Sequence, residues 1–197
     1  MTSAVATRVA GAFPATYAHD VAAVVAMLSP VNQAPTPHDI AAIALRGEAV
    51  RIPARIYFPE PSPEKFDLLT EREKLVARCL FTRHHDGVVR ERMIKPLLLE
   101  TAFWTVPFVV QLLGEYVVEI VRLIDEQLPP GDAVAYAEFL NENPCFWRLT
   151  RSRMVSYWDC YYRREFPNLD HYPGRRVLDR LETWRTKNLE HTGQLTP

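Results

Sequence analysis

Hydrophobic side chains recur with helical spacing along most of the chain. Apolar residues three and four positions apart share one face of an α-helix, so this spacing predicts amphipathic helices. The pattern is strongest after Thr70, which with Glu73 has the spacing of a capping box at a helix start. The whole pattern gives about eight helices with short connections, which favour antiparallel neighbours. The predicted fold class is therefore all-α, built from stacked antiparallel helical hairpins.

The ends and the first quarter of the chain give weaker signals. Residues 1–18 show no clear period and 190–197 are polar, so both are expected to be loose. Asp20 is predicted to cap a helix that Pro30 ends. A second, short helix is predicted from the Thr36-Pro37 pair through Ile40 and Ile43 to Gly47.

One segment, near residues 50–58, alternates instead with a period of two. Its apolar side chains are Val50, Ile52, Ala54, Ile56 and Phe58. This alternation is typical of a strand, but Pro53 lies inside it and cannot donate a backbone hydrogen bond. We therefore expect an edge strand, or an extended strap that lies on the helices.

A repeated pattern occupies residues 84–128. An Asp86-Gly87 turn precedes a helix with Val89-Arg90, and a second helix opens on Val106-Pro107. The unit restarts at Gly114, where Val117-Val118 echoes Val88-Val89 after 29 positions. This arrangement resembles HEAT-type helical repeats. The resemblance implies a small stack of helical hairpins that presents one face to a partner protein.

Length and composition are those of an ordinary globular protein. The chain has 197 residues, of which 48% are hydrophobic and 24% charged, and a net charge of −1, so one domain over 1–197 is expected. No apolar run approaches the ~18 residues of a membrane span.

The three cysteines, Cys79, Cys145 and Cys160, are widely spaced and form no CxxC pair, which favours buried reduced thiols. By elimination we expect a cytoplasmic protein without a membrane partner.

The turn His84-His85-Asp86 is the sharpest cluster of chemically reactive side chains. Adjacent histidines beside a carboxylate suit a transition metal or acid–base chemistry. These residues are therefore candidates for a metal site, and a metal-dependent hydrolase centred on them is one functional hypothesis. The other interpretation is structural: Asp86 caps the following helix and the histidines bond to nearby backbone. No nucleotide-binding loop or zinc-protease motif occurs in the sequence, so no cofactor is expected.

The C-terminal quarter is basic and rich in aromatic residues. Residues 148–197 carry a net charge of +4, whereas 71–147 carry −4. The candidate partner-binding or nucleic-acid-binding arginines are Arg148, Arg151, Arg153, Arg163, Arg164, Arg175 and Arg176. Guanidinium groups suit phosphates and carboxylates. The alternatives are a solvated surface and pairing with the acidic middle segment.

Aromatic residues in the same region have two interpretations. Tyr157, Tyr161 and Tyr162 could stack on bases, beside the arginines. Helical spacing instead places Met154, Trp158 and Tyr161 on one buried stripe, which indicates a core.

The sequence contains no recognisable set of catalytic residues. This favours a non-enzymatic interaction or scaffold module that binds a protein partner. Nucleic-acid binding through the basic aromatic helices and the metal-dependent hydrolase are the alternatives.

Overall fold

The computed structural model describes residues 3–28, 40–128 and 130–193, and it confirms a mostly helical fold. About 68% of the described residues are helical, and the sheet within them has two strands. The chain divides into two compact units, Met1–Leu97 and Leu98–Pro197, each described below by itself. The expectation of one domain over 1–197 stays a prediction. Within the described residues, no helix has the length and apolar character needed to cross a membrane.

The first unit contains five helices and a two-stranded antiparallel sheet in its described residues. The helices are α1 (Ser3–Ala10), α2 (Ala18–Met27), α3 (Pro63–Asp67), α4 (Glu71–Phe81) and α5 (Gly87–Leu97). The strands are β1 (Ile40–Leu45) and β2 (Glu48–Pro53). Helix α1 lies in the stretch that was expected to be loose. Val9, Ala12 and Phe13 are buried there, which ties that end of the chain to a core.

The short helix predicted between Thr36 and Gly47 is wrong, because its second half is strand β1. Arg46 and Gly47 have φ angles of 52° and 84°, and both central residues of a type I′ hairpin turn need positive φ. Gly47 therefore reverses the chain instead of ending a helix. Ile43 pairs with Val50 across the hairpin, and both are buried. Thr36, Pro37 and Pro30 lie outside the described residues.

The two predicted helix caps had different outcomes. The capping box of α4 is confirmed: Thr70 Oγ1 accepts the N–H of Glu73 at 3.3 Å, and the Glu73 carboxylate accepts the N–H of Thr70 at 2.8 Å. Asp20 is not the cap of α2, because the helix begins two residues earlier, at Ala18. Asp20 lies in its first turn, where its carboxylate accepts a hydrogen bond from Arg72 at 2.9 Å.

The strap near residues 50–58 is confirmed as β2 followed by an extended segment. Ile56 N–H donates to the carbonyl of Arg83 at 2.8 Å, and His85 N–H donates to the carbonyl of Ile56 at 3.0 Å. The buried Arg83 side chain donates to the carbonyls of Pro53 at 3.2 Å and Ala54 at 2.9 Å. The turn between α4 and α5 therefore holds the strap by both backbone and side-chain bonds.

The second unit is built around a long C-terminal helix. Its helices in the described residues are α6 (Val106–Leu112), α7 (Val118–Gln127), α8 (Ala133–Glu142), α9 (Pro144–Tyr157) and α10 (Pro173–Gly193). Helix α10 packs against α7, α8 and α9. Val177, Leu178 and Leu181 are buried on its inner face, as their spacing predicts. The helix continues to Gly193, beyond residue 190, where the tail was expected to be loose.

A π-helical turn at Trp158–Tyr162 follows α9 and corrects the predicted aromatic stripe. Trp158 is buried as expected, but Tyr161 is 65% exposed. A π turn closes with i→i+5 bonds and so inserts one residue, which rotates the following side chains off the helical spacing. Tyr162 is the residue that turns inward: its hydroxyl donates to the carbonyl of Tyr116 and accepts the N–H of Val118.

Candidate functional site

Three of the seven candidate arginines line one groove between α9 and α10, called here the basic groove. Its volume is about 560 Å³, and its residues are Arg148, Arg151, Ser152, Val155, Arg175 and Leu178. In α9, Arg151, Ser152 and Val155 follow Arg148 by three, four and seven positions, so these four residues share one face of the helix. Those from α10 are three apart on the facing helix.

The arginines of the basic groove are only partly neutralised by neighbouring carboxylates. Arg175 Nε lies 3.0 Å from Asp179, while Arg151 lies 3.7 Å from Glu182. Arg148 is exposed and forms no ion pair with the described part of the chain; its guanidinium approaches Cys145 Sγ at 3.9 Å. Arg148 and Arg151, whose ion pairs are absent or long, therefore remain available to an external anion, whereas Arg175 also lies 3.8 Å from Asp170.

The other four candidate arginines lie elsewhere. Arg163 pairs with Asp159 at 2.9 Å and lies over the ring of Trp158. Arg176 binds Asp125 of α7, so it belongs to a contact within the fold. Arg153 and Arg164 are exposed outside the basic groove. The candidate arginines therefore do not form one surface: three line the basic groove, and Arg176 belongs to the fold's own ion pairs.

A second surface of the same unit is aromatic. Tyr116, Tyr157 and Tyr161 have ring centroids 6.0–6.4 Å apart, and we call them the tyrosine cluster. Tyr116 and Tyr161 are 47% and 65% exposed. Arg153 lies one helical turn before Tyr157, which brings a cation to this surface. The π turn is what presents Tyr161 to solvent.

In the His84-His85-Asp86 turn, the side chains of His84 and Asp86 form the hydrogen bonds to nearby backbone that the structural interpretation predicts. His84 Nδ1 accepts the N–H of Asp86 at 3.1 Å, so its Nε2 carries the proton and donates to the carbonyl of Phe58 at 3.0 Å. Neither nitrogen of His84 then keeps a lone pair for a metal. Asp86 Oδ1 accepts the N–H of Val88 at 2.8 Å, which caps α5.

The environment of His84 favours its neutral form. Burial lowers its pKa below the ordinary value of 6.5, and neighbouring His85 lowers it further. The His85 ring is exposed and stacks on Tyr57, with 5.3 Å between ring centroids. Both ring nitrogens of His84 form hydrogen bonds, so the imidazole joins the turn to the strap and has no nitrogen available to act as a base.

One other group of metal-ligating side chains comes together in the described residues. His19, Asp20 and Glu73 have ligand atoms within 4.8 Å of one another. Asp20 is bound to Arg72, and Glu73 accepts the Thr70 N–H in the capping box. Both carboxylates therefore already have structural partners.

The cysteines differ from the expectation of buried thiols. Cys79 is buried, but Cys145 and Cys160 are exposed, and none of the three forms a disulfide within the described part of the chain. Cys145 lies in the first turn of α9 and Cys160 lies inside the π turn, and the side chains of both cysteines are exposed.

Sequence reasoning also missed the uncharged residues of the basic groove. Ser152 and Val155 follow Arg148 at helical spacing, and that spacing was the available signal. Leu178 was assigned to the core of α10. It is buried, and it lines the groove as well.

Comparisons with protein-family models, curated proteins and solved structures found no match for this chain. The HEAT-like resemblance of residues 84–128 therefore stays a prediction.

Proposed function

We propose that the chain is a non-enzymatic helical interaction module, and that its basic groove binds an acidic segment of a protein partner. The supporting observation is the convergence of Arg148, Arg151 and Arg175 on one groove. Val155 is exposed beside them and Leu178 lies against the groove, so apolar side chains of a partner also find contacts. Arginine is favoured at protein interfaces because its planar guanidinium binds carboxylates in a bidentate manner.

The charges around the groove favour a peptide over a polyphosphate backbone. Asp179 and Glu182 lie beside Arg175 and Arg151, and a dense row of phosphates would meet these carboxylates. A peptide can alternate its acidic and apolar side chains and so avoid them. The net charge of −1 also gives no long-range attraction for nucleic acid.

The test uses two fluorescein-labelled peptides that differ only in charge. One alternates glutamate with leucine, and the other carries glutamine in place of glutamate. We expect the acidic peptide to bind in a salt-dependent manner. The double substitution Arg148→Gln and Arg151→Gln should weaken it about tenfold or more.

The matched control removes the same charge outside the groove, by Arg163→Gln with Arg164→Gln. Fluorescence polarisation measures both variants. The proposed function of the groove would be contradicted if both double variants weakened binding of the acidic peptide equally, or if the two peptides bound equally well.

Single-stranded nucleic acid is the second candidate, and the tyrosine cluster favours it. Exposed rings beside arginine are the kind of surface on which bases stack. A labelled oligothymidine tests it: binding should weaken in Tyr161→Ala and stay unchanged in the Arg148 and Arg151 double variant. Absence of binding at low salt would exclude this candidate.

A cytoplasmic location belongs to the same proposal. Two exposed free thiols, Cys145 and Cys160, suit a reducing compartment. Cell fractionation of the native host, with disulfide mapping of the recovered protein, tests this location.

A further inference from the structure

A second groove lies in the first unit, where the proline-rich segment after the strap faces α4 and α5. Its volume is about 620 Å³, within the usual range of small-molecule sites. Five of its nine lining residues are apolar: Pro61, Pro63, Phe66, Met93 and Pro96. The other four are charged: the exposed Asp67, Glu60, Arg78 and Arg92. We call it the proline groove. Pyrrolidine rings have fixed backbone φ angles, so little conformational entropy is lost when a ligand enters.

Arg78 is the cation that distinguishes this groove from a purely apolar one. It lies in the last turn of α4, and its guanidinium carbon is 5.8 Å from the centroid of the Phe66 ring. The residue is half-buried, yet it forms no ion pair with any described side chain. The other arginine of the groove, Arg92, is already paired with Glu60.

We infer that the proline groove binds a small amphipathic carboxylic acid. Its carboxylate would take a charge-assisted, bidentate hydrogen bond from Arg78. Its apolar body would lie against Phe66, Met93 and the prolines. The cation–π contact with Phe66 orients the guanidinium. This inference concerns the first unit alone and does not depend on the basic groove.

The experiment compares two fluorescent probes that share one aromatic body. One is 8-anilinonaphthalene-1-sulfonate, and the other is N-phenyl-1-naphthylamine, which lacks the anionic group. We expect Arg78→Gln to weaken the sulfonate about tenfold or more, the usual effect of losing a charge-assisted hydrogen bond. The neutral probe should change less than about twofold, because its apolar contacts remain. Arg78→Lys, which keeps the charge, should recover part of the affinity.

Two control variants assign the effect to this groove. Arg72→Gln removes the same charge from α4, outside the groove. Lys187→Gln removes the positive charge from another, smaller groove of the second unit, which is lined by the apolar residues Ala133, Val134 and Trp184. Neither variant should alter binding of the sulfonate. If Lys187→Gln weakens it and Arg78→Gln does not, the inference is overturned.

Natural ligand chemistry is tested by competition on the wild-type chain. Decanoate should displace the sulfonate probe, whereas decanol, which has the same alkyl chain without the charge, should displace it at least about tenfold less well. Equal displacement by both, or saturation at several sites per chain, would contradict the inference. This competition experiment uses only the wild-type chain, so it tests the inference even if a variant of Arg78 fails to fold.

Discussion

His84 makes the stability of the first unit depend on pH. Its pKa is lowered in the folded chain, chiefly by burial, while in the unfolded chain it returns to about 6.5. The unfolded state then binds the proton more readily. The stabilising contribution is therefore complete above about pH 6.5 and is lost as the pH falls below that value.

We predict that His84→Gln flattens this pH dependence. Urea unfolding at about pH 8 and about pH 5.5 brackets the ordinary histidine pKa. Wild type should lose more stability between these conditions than the variant. Identical slopes in wild type and variant would show that His84 is not the titrating group.

Arg90 of α5 binds the backbone of the turn that contains His84. It is completely buried, and its Nη1 donates to the carbonyls of His84 at 2.8 Å and His85 at 2.9 Å. We predict that Arg90→Gln lowers the free energy of unfolding by about 2–4 kcal/mol, because one buried and one part-buried carbonyl lose a charged donor. Arg92→Gln, exposed on the same helix, should cost less than about 1 kcal/mol. Urea denaturation that gives equal losses would contradict this role.

At the scale of elements, the β-hairpin depends on one glycine. An added Cβ at Gly47 meets no atom within 4 Å, so a substitution there changes only the backbone preference. We predict that Gly47→Val costs about 1–2 kcal/mol, since a β-branched residue resists positive φ. Gly47→Asn should cost less, because asparagine tolerates this region. Equal thermal stability of both variants and wild type would show that the turn does not hold the hairpin.

The same hairpin shows what the sequence could and could not predict. Ile40, Ile43 and Gly47 match a short helix with its stop, and Ile43, Leu45 and Gly47 match a strand with its turn. Local spacing cannot choose between these patterns over six residues; pairing with β2 decides. The capping box of α4 needed no such partner, because all of its hydrogen bonds lie within four residues.

The π turn limited prediction of the candidate site in a similar way. Extrapolation of the α9 spacing placed Tyr161 inside, but the inserted residue brings Tyr162 inward. Tyr162 is held by the Tyr116 carbonyl and the Val118 N–H, more than forty positions earlier in the chain. A contact so distant leaves no periodic signal, so the sequence could not decide between a buried aromatic stripe and exposed tyrosines that stack on bases.

At the scale of the whole molecule, charge pairing in the second unit follows the opposite charges of the acidic middle and basic end. Asp125 of α7 has a side chain only 11% exposed, and it accepts hydrogen bonds from Arg176 at 2.9 Å and Arg180 at 2.7 Å. This is the pairing between segments that the sequence analysis offered as an alternative for its arginines. Asp125→Asn should therefore destabilise the second unit, because two guanidinium groups lose their shared carboxylate.

Two variants together test whether the two compact units unfold separately. Arg90→Gln removes bonds within the first unit and Asp125→Asn within the second, and the free energy of local opening follows the contacts inside a cooperative region. We predict that hydrogen exchange, followed by mass spectrometry, rises in residues before 97 for the first variant and after 98 for the second. The wild-type chain and the surface variant Arg92→Gln provide the baselines. Exchange that rises throughout the chain in both variants would instead establish the single domain expected from the sequence, since one cooperative domain transmits a local loss to every protected amide.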